Sequence, residues 1–259
     1  MMKLLWKGPI SMMEKLSSEE LEQRFADVAE NLKVIRENMA EAAVQSGRKP
    51  ESITLLAATK TVPVEVINRS IELGVDHIGE NRVQELTSKY DSYLLSRCKL
   101  HFIGHLQVNK VKYLIGKVAM IESVDSMKLA NEVSRLSVKN GVTTDVLLEV
   151  NIGREPNKSG ILPEELPELL EGVAAMPAIK IRGLMAIPPA GAPEAETINY
   201  FLQMNKYFID TKSKKMDNVA MDYLSMGMSA DYPLAIRAGA NLVRIGTALY
   251  GPRNYNKNI

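Results

Sequence analysis

Eight short apolar runs alternate with helix-like segments along most of the chain, and this alternation constrains the fold more than any other feature. The runs predict strands at residues 53–59, 75–79, 100–104, 118–124, 144–151, 179–187, 222–229 and 241–246. Strands that alternate with helices pair in parallel through right-handed crossovers. Eight such units close naturally on themselves, so we predict an α/β fold with a single (β/α)8 TIM-type barrel.

An amphipathic helix precedes the first strand. Ser17 and Glu20 form the S-x-x-E pattern of a capping box, in which each side chain accepts a hydrogen bond from the other residue's backbone. Apolar residues then recur at steps of three and four as far as Met39, and Gly47 marks the end. This helix would cover the seam of the barrel, where the first and last strands meet. The alternative is an open doubly wound sheet, but no G-x-G-x-x-G pattern follows the first strand.

The chain shows no linker and no change of composition that would divide it. We therefore predict one barrel domain at residues 17–259, preceded by an N-terminal extension at residues 1–16. Lysines and a proline interrupt the apolar residues of that extension, which does not fit a signal peptide. The natural start is Met1, or else Met12 or Met13.

Composition argues against several classes of protein. Lys and Arg number 32 against 31 Asp and Glu, so the formal charge of +1 gives no general attraction to nucleic acid or to an anionic membrane. No later stretch reaches the roughly 18 uninterrupted apolar residues of a membrane span. Cys98 is the only cysteine, which excludes an intrachain disulfide and suits a reducing compartment. We predict a cytoplasmic protein without a nucleic-acid or membrane partner.

Lys60 interrupts the apolar end of the first predicted strand. Sites in barrels of this kind lie at the carboxyl ends of the strands. Desolvation there favours the neutral amine, which is a nucleophile for a carbonyl carbon and forms a Schiff base with it. Position alone leaves a second interpretation open, in which the lysine is structural and extends outward into solvent.

The last two loops suggest a phosphate site on the same rim as Lys60. Gly227 and Ser229 precede a short helix, while Gly246 and Thr247 follow the eighth strand. Glycine lets backbone amides approach a ligand closely, hydroxyl groups add donors, and the loops after strands seven and eight often bind phosphate. A phosphate site together with a lysine indicates a phosphorylated aldehyde as the ligand.

Arg244 lies in the eighth strand and is either a cation of the barrel core or a ligand contact. A guanidinium can only donate hydrogen bonds, so beside a pyridine nitrogen it would keep that nitrogen unprotonated. His105 is a candidate for the barrel mouth, whereas His77 and His101 lie within strands and fit the core or its surroundings better. The three histidines lack the spacing of metal ligands, so we predict no metal site.

Seven motifs together resemble the YggS/PROSC family of pyridoxal phosphate homeostasis proteins. The resemblance extends from about residue 53 to residue 253, with the motifs in the same order along the chain. The motifs are LLAATKT (55–61), HIGENRVQE (77–85), HFIGHLQVNK (101–110), NIGREPNKSG (151–160), RGLMAI (182–187), LSMGMSAD (224–231) and VRIGTALYGPR (243–253).

This resemblance implies a fold-type III barrel, similar to the N-terminal domain of alanine racemase, that carries pyridoxal 5′-phosphate (PLP) as a Schiff base on Lys60. It assigns the phosphate to Ser229, Gly246 and Thr247, and the pyridine nitrogen to Arg244. The remaining residues that it implies in the cofactor pocket are Asn81, Met226 and Gly227.

The resemblance also implies a role in holding PLP and supplying it to apo-enzymes, without established catalytic turnover. One alternative is a PLP-dependent amino-acid racemase, which needs a second acid/base such as Tyr250 or Tyr255, and usually a C-terminal β-domain for which the chain leaves no room. A class I aldolase-type barrel is a further alternative, with Glu149 as its acid/base. Because the dimer-forming domain of the racemases is missing, we expect a monomer.

Overall fold

The computed structural model describes residues 16–252 of the chain. Apart from Leu16, the predicted extension lies outside the described residues, and so do the alternative starts Met12 and Met13. Tyr255, one of the two candidate acid/bases of the racemase hypothesis, also lies outside them.

Eight parallel strands form a closed barrel in which each strand pairs with the next and the eighth pairs with the first. This confirms the predicted fold, with strand ends that differ from the prediction by a few residues. The strands are β1 (Thr54–Ala58), β2 (His77–Glu80), β3 (Lys99–Phe102), β4 (Met120–Val124), β5 (Thr144–Val150), β6 (Ile179–Ala186), β7 (Val219–Met228) and β8 (Leu242–Ile245).

Eight α-helices accompany these strands in the described part of the chain. They are α1 (Ser18–Gln45), α2 (Val64–Glu72), α3 (Val83–Lys89), α4 (Met127–Asn140), α5 (Leu166–Ala174), α6 (Glu194–Ser213), α7 (Tyr232–Arg237) and α8 (Thr247–Tyr250). The capping box of α1 is present, with Glu20 N donating to Ser17 Oγ at 3.1 Å and Ser17 N donating to Glu20 Oε2 at 2.9 Å.

Between β3 and β4, residues Val108–Tyr113 form a 3-10 helix. Gly116, at φ 77°, turns the chain soon afterwards. The segment is therefore only six residues long, and short helical pieces of this length often adopt the tighter 3-10 geometry.

Alternate residues of the strands point into the barrel. Leu56 on β1, Leu242 on the paired strand β8 and Ile103 directly after β3 form one buried cluster inside the barrel. Ala58 packs against the same cluster. Because side chains alternate along a strand, position 60 has the same parity as Leu56 and Ala58. The chain direction at the end of β1 therefore favours a Lys60 side chain above the barrel interior.

No helix within residues 16–252 is long and apolar enough to cross a membrane.

Candidate functional site

Lys60 lies in the turn directly after β1 and is partly buried. Its flanking residues differ, since Thr59 is fully buried whereas Thr61 is exposed and has a left-handed backbone with φ 63°. The strand pairing of β1 with β8 brings the turn close to Gly246, where a Cβ would lie 3.3 Å from the carbonyl oxygen of Ala58. The predicted lysine and one predicted phosphate residue are therefore neighbours at the same rim.

Two backbone amides converge on the hydroxyl of Ser229. Gly246 N donates to Ser229 Oγ at 3.2 Å, and Ala248 N donates to the same oxygen at 3.1 Å. Thr247 lies between these two amides and is exposed. Amides that point at one oxygen atom form an arrangement that also suits an oxygen of a bound anion.

Gly227 joins β7 to this part of the rim. Its φ is 91°, and a Cβ there would lie 2.5 Å from Cβ of Ala235. Only glycine satisfies both the left-handed backbone and the close packing against α7. The structure therefore explains Gly227 as a residue that shapes the loop leading to Ser229.

Arg244 is the start of a hydrogen-bonded chain inside the barrel. Its Nη1 donates to Ser225 Oγ at 2.6 Å, and its Nη2 donates to the carbonyl oxygen of Ala186 at 3.0 Å. Ser225 Oγ in turn donates to Glu122 Oε2 at 2.6 Å, and His101 Nδ1 lies 2.6 Å from Glu122 Oε1. All four side chains are buried, with Arg244 only 4% exposed.

The charges along this chain compensate one another. Burial raises the pKa of Glu122, but the hydrogen bond from His101 and the nearby positive charge of Arg244 outweigh it, so the net shift is downward. Burial lowers the pKa of Arg244, while Glu122 and Glu149 oppose that effect. A guanidinium retains its proton at physiological pH, so the interior holds a cation that is compensated by an ionised Glu122 through Ser225.

Ser225, Glu122 and His101 were not predicted as site residues. Ser225 lies within the predicted strand 222–229, and the position of His101 within a strand fits the core or its surroundings. The signal that could have identified Glu122 is a carboxylate at an inward position of the apolar run 118–124. A buried charge requires a partner, and the sequence offered Arg244 as one.

The polar atoms that are buried without a hydrogen-bond partner near the carboxyl ends of the strands include Asn81 Oδ1 and Glu149 Oε2. Asn81 follows β2, and Glu149 has the inward parity of Leu147 on β5. Burial, with a further contribution from Asp125, raises the pKa of Glu149 to about 7. Buried polar atoms are normally paired, so these two are available to a ligand.

Met226 and His105 lie apart from these groups. Met226 is fully buried within the large hydrophobic cluster, because it alternates with the inward-facing Ser225. His105 Nδ1 lies 3.1 Å from Ser159 Oγ and 3.7 Å from Asp125 Oδ2, beside an open cavity of about 440 Å³. No predicted cofactor residue lines that cavity. No cluster of three or more potential metal-ligating side chains occurs within the described residues.

Comparisons with known proteins identify the family of this chain. A family model described as the alanine racemase N-terminal domain matches residues 26–254. The pyridoxal phosphate homeostasis protein of Aquifex aeolicus (strain VF5) is 43% identical over 229 residues, which cover 88% of this chain and 100% of that protein. The protein of the same description from Escherichia coli (strain K12) is 38% identical over 234 residues, covering 89% of this chain and 99% of that one.

A solved structure is similar as well. PipY of Synechococcus elongatus, determined with PLP bound, superimposes with a TM-score of 0.75 at 33% identity. The match covers 86% of this chain and 100% of PipY. The family model, the two relatives and the shared barrel lead to one conclusion: the chain belongs to the alanine racemase N-terminal domain family and, within it, to the pyridoxal phosphate homeostasis proteins.

Proposed function

We propose that this protein binds PLP at the carboxyl end of its barrel, as a Schiff base on Lys60, and that it holds the cofactor and supplies it to other proteins. The relatives described as pyridoxal phosphate homeostasis proteins support this proposal, and so does the PLP in PipY. Cofactor binding follows from the family, whereas the individual residues below are assigned from the geometry of this chain.

The observation that carries the proposal is the convergence of the Gly246 and Ala248 amides on a single oxygen position, one strand away from the Lys60 turn. These two amides would donate to an oxygen of the phosphate, and the hydroxyl groups of Ser229 and Thr247 would add further donors. Phosphates in α/β barrels commonly bind at the loops after the seventh and eighth strands. The groups present therefore fit the phosphate of PLP.

Lys60 would hold the aldehyde end of PLP, and Arg244 would face its pyridine nitrogen. The amine of Lys60 would condense with the aldehyde, forming a carbon–nitrogen double bond and releasing one water molecule. The guanidinium of Arg244 would donate to the pyridine nitrogen and leave it unprotonated, because a guanidinium has no acceptor. Asn81 Oδ1 offers a buried acceptor at the rim, and Gly227 shapes the phosphate loop.

Bound PLP supplies an electron sink for reactions at amino acids, and that property depends on a protonated pyridine nitrogen. Arg244 opposes this protonation, and its hydrogen bonds to Ser225 and Ala186 fix it in place. These contacts favour a carrier over a catalyst and leave racemization as the second candidate.

The racemase hypothesis loses one of its two candidate acid/bases. Tyr250 is buried, and its hydroxyl lies 2.8 Å from Ser70 Oγ on α2, outside the barrel. Burial raises its pKa, so the phenol retains its proton. Tyr250 is therefore far better suited to packing α8 against α2 than to moving a proton at the barrel mouth.

We extend the proposal to the cellular setting and to the domain division. Apo-enzymes that require PLP are the proposed recipients, the protein acts as a cytoplasmic monomer, and residues 17–259 form one cofactor-binding domain after an extension at residues 1–16. Sedimentation of the purified protein with and without PLP tests whether the protein is a monomer.

The central test uses purified protein that has been incubated with PLP. We expect wild type to show a visible absorption band, and borohydride to fix the cofactor irreversibly to the peptide that contains Lys60. Lys60→Ala should show neither the band nor the modified peptide. If wild type forms no borohydride-stable adduct at Lys60, the proposed attachment is wrong. Rapid exchange of the Cα proton of L-alanine in deuterated water would instead favour the racemase.

A further inference from the structure

Both residues that flank Lys60 are held by carboxylates from the neighbouring strand and helix. On one side, Thr59 Oγ1 donates to Glu80 Oε1 at 2.8 Å and also lies 3.1 Å from the carbonyl oxygen of Gly79. On the other side, the backbone amide of Thr61 donates to Glu85 Oε1 at 2.6 Å. The turn is thus fixed both before and after the lysine.

Lys89 connects these two carboxylates. Its Nζ lies 2.5 Å from Glu85 Oε1 and 3.4 Å from Glu80 Oε1, and only 11% of its side chain is exposed. Tyr93 adds a further hydrogen bond, with its hydroxyl donating to Glu80 Oε1 at 2.7 Å. We refer to Glu80, Glu85, Lys89 and Tyr93 as the turn clamp. A largely buried, charge-assisted network of this kind restricts the motion of the groups it holds.

The turn needs such support because of its backbone conformation. Thr61 has φ 63°, a left-handed value that is uncommon and strained for a β-branched residue. Strain of this kind persists only where surrounding contacts impose it. Of the contacts at Thr61, the hydrogen bond from its amide to Glu85 acts directly on the strained residue.

We propose that Glu85, held by Lys89, is a positioning residue that fixes the direction in which Lys60 presents its amine to the aldehyde of PLP. This inference rests on the proposed attachment of PLP to Lys60. Glu85 acts through the backbone at Thr61. The groups proposed to bind the phosphate, at Ser229, Gly246 and Ala248, belong to other loops, after β7 and β8. They are not part of the turn clamp. Loss of Glu85 should therefore impair the covalent step while leaving phosphate recognition intact.

Two ligands separate these steps. PLP carries both the phosphate and the aldehyde, whereas pyridoxine 5′-phosphate carries the phosphate and has an alcohol in place of the aldehyde, so that it cannot form a Schiff base. Rapid mixing with PLP, borohydride quenching and mass spectrometry of the Lys60 peptide give the rate of covalent attachment. Equilibrium dialysis with pyridoxine 5′-phosphate gives the affinity of the phosphate site.

The variants are Glu85→Ala, which removes the acceptor, Glu85→Gln, which retains an acceptor for the Thr61 amide, and Lys89→Met. Glu132→Ala is the matched control, because Glu132 pairs with Arg135 on the distant helix α4. We expect Glu85→Ala to slow attachment about 10- to 100-fold, as misplacement of a reacting group does. Glu85→Gln should recover most of the rate, and pyridoxine 5′-phosphate should bind all variants equally.

The outcomes distinguish the two proposals. If wild type is not trapped at Lys60, the attachment itself is wrong. The positioning role is overturned if Glu85→Ala attaches PLP at the wild-type rate, or if its affinity for pyridoxine 5′-phosphate falls in parallel with the rate. Should Glu85→Ala fail to fold, the rate of PLP attachment and the affinity for pyridoxine 5′-phosphate are compared in Lys89→Met instead. That variant removes the ion pair with Glu85 and retains the Glu85 carboxylate.

Discussion

The protonation state of Glu149 depends on the burial of its carboxyl group at the barrel mouth. The side chain is 6% exposed, and Oε2 has no hydrogen-bond partner. Burial raises its pKa from 4.5 to about 7, Asp125 adds to this shift, and Arg244 opposes it. The protonated form is therefore favoured in the folded state, and ionisation near neutral pH costs stability.

This gives a prediction for Glu149→Gln. A carboxyl whose pKa is raised by folding stabilises the protein at low pH, and that contribution is lost as the pH rises from about 4.5 to about 7. Glutamine has no such titration. We expect the stability of the variant relative to wild type to increase by on the order of 3 kcal/mol between pH 4 and pH 8, measured by urea unfolding.

The control for this titration is Glu132→Gln. The hydrogen bond from Arg135 lowers the pKa of Glu132, so its contribution has the opposite sign and is small because the carboxyl is exposed to solvent. A Glu149→Gln variant whose stability follows that of wild type across this pH range would show that the carboxyl is ionised in the folded protein.

Individual residues also show where the sequence was informative. Lys60 was identified because a charged residue ended an apolar run, and its parity with Leu56 follows from strand geometry alone. The chain from Arg244 to Glu122 was not predicted, since Ser225 and Glu122 are 103 positions apart and only barrel closure brings them together. The turn clamp was missed for a similar reason, because Glu80 and Glu85 were seen only as parts of a motif.

At the scale of elements, α1 depends on local sequence and on long-range packing together. Its capping box is complete, while Arg24 and Asn31 donate to the carbonyl oxygens of Tyr250 and Leu249 on α8. The capping residues could be identified from four letters of sequence. The contacts with α8 could not, because they join positions more than 200 residues apart.

The N-cap of α1 can be tested by Ser17→Ala. The substitution removes the acceptor for Glu20 N and half of the capping box, which costs about 1 kcal/mol in typical helices. Ser18→Ala is the control, because Ser18 is the neighbouring residue inside the helix and is also exposed. We expect the urea midpoint to fall for Ser17→Ala alone. Equal midpoints for the two variants would mean that packing, and not the cap, determines where the helix starts.

The loop between β3 and β4 shows the limit of periodicity at this scale. Residues 108–115 have apolar residues at helical spacing, and the chain forms the 3-10 helix Val108–Tyr113 there. Periods of 3.0 and 3.6 residues are barely distinguishable over six positions. The apolar pattern of so short a segment therefore does not distinguish the two kinds of helix.

For the whole molecule, the proposed ligand joins elements that are distant in sequence. Lys60 follows β1 and Asn81 follows β2. The groups proposed to bind the phosphate belong to the loops after β7 and β8. A ligand that binds only this assembled rim stabilises the folded state by mass action. It therefore acts on the unfolding of the entire barrel, although it contacts only one end.

Ligand-dependent stability gives the final prediction. PLP at about 100 times its dissociation constant should raise the free energy of unfolding by about 2.7 kcal/mol. Pyridoxal at the same concentration should have a much smaller effect, because it lacks the phosphate that Gly246 N and Ala248 N would bind. Calorimetry of wild type and Ser229→Ala, each with PLP and with pyridoxal, measures the stabilisation by the two ligands. If pyridoxal stabilises the protein as strongly as PLP does, the Gly246 and Ala248 amides do not hold the phosphate. A response of Ser229→Ala that is weaker to PLP and unchanged to pyridoxal supports a phosphate site at these loops.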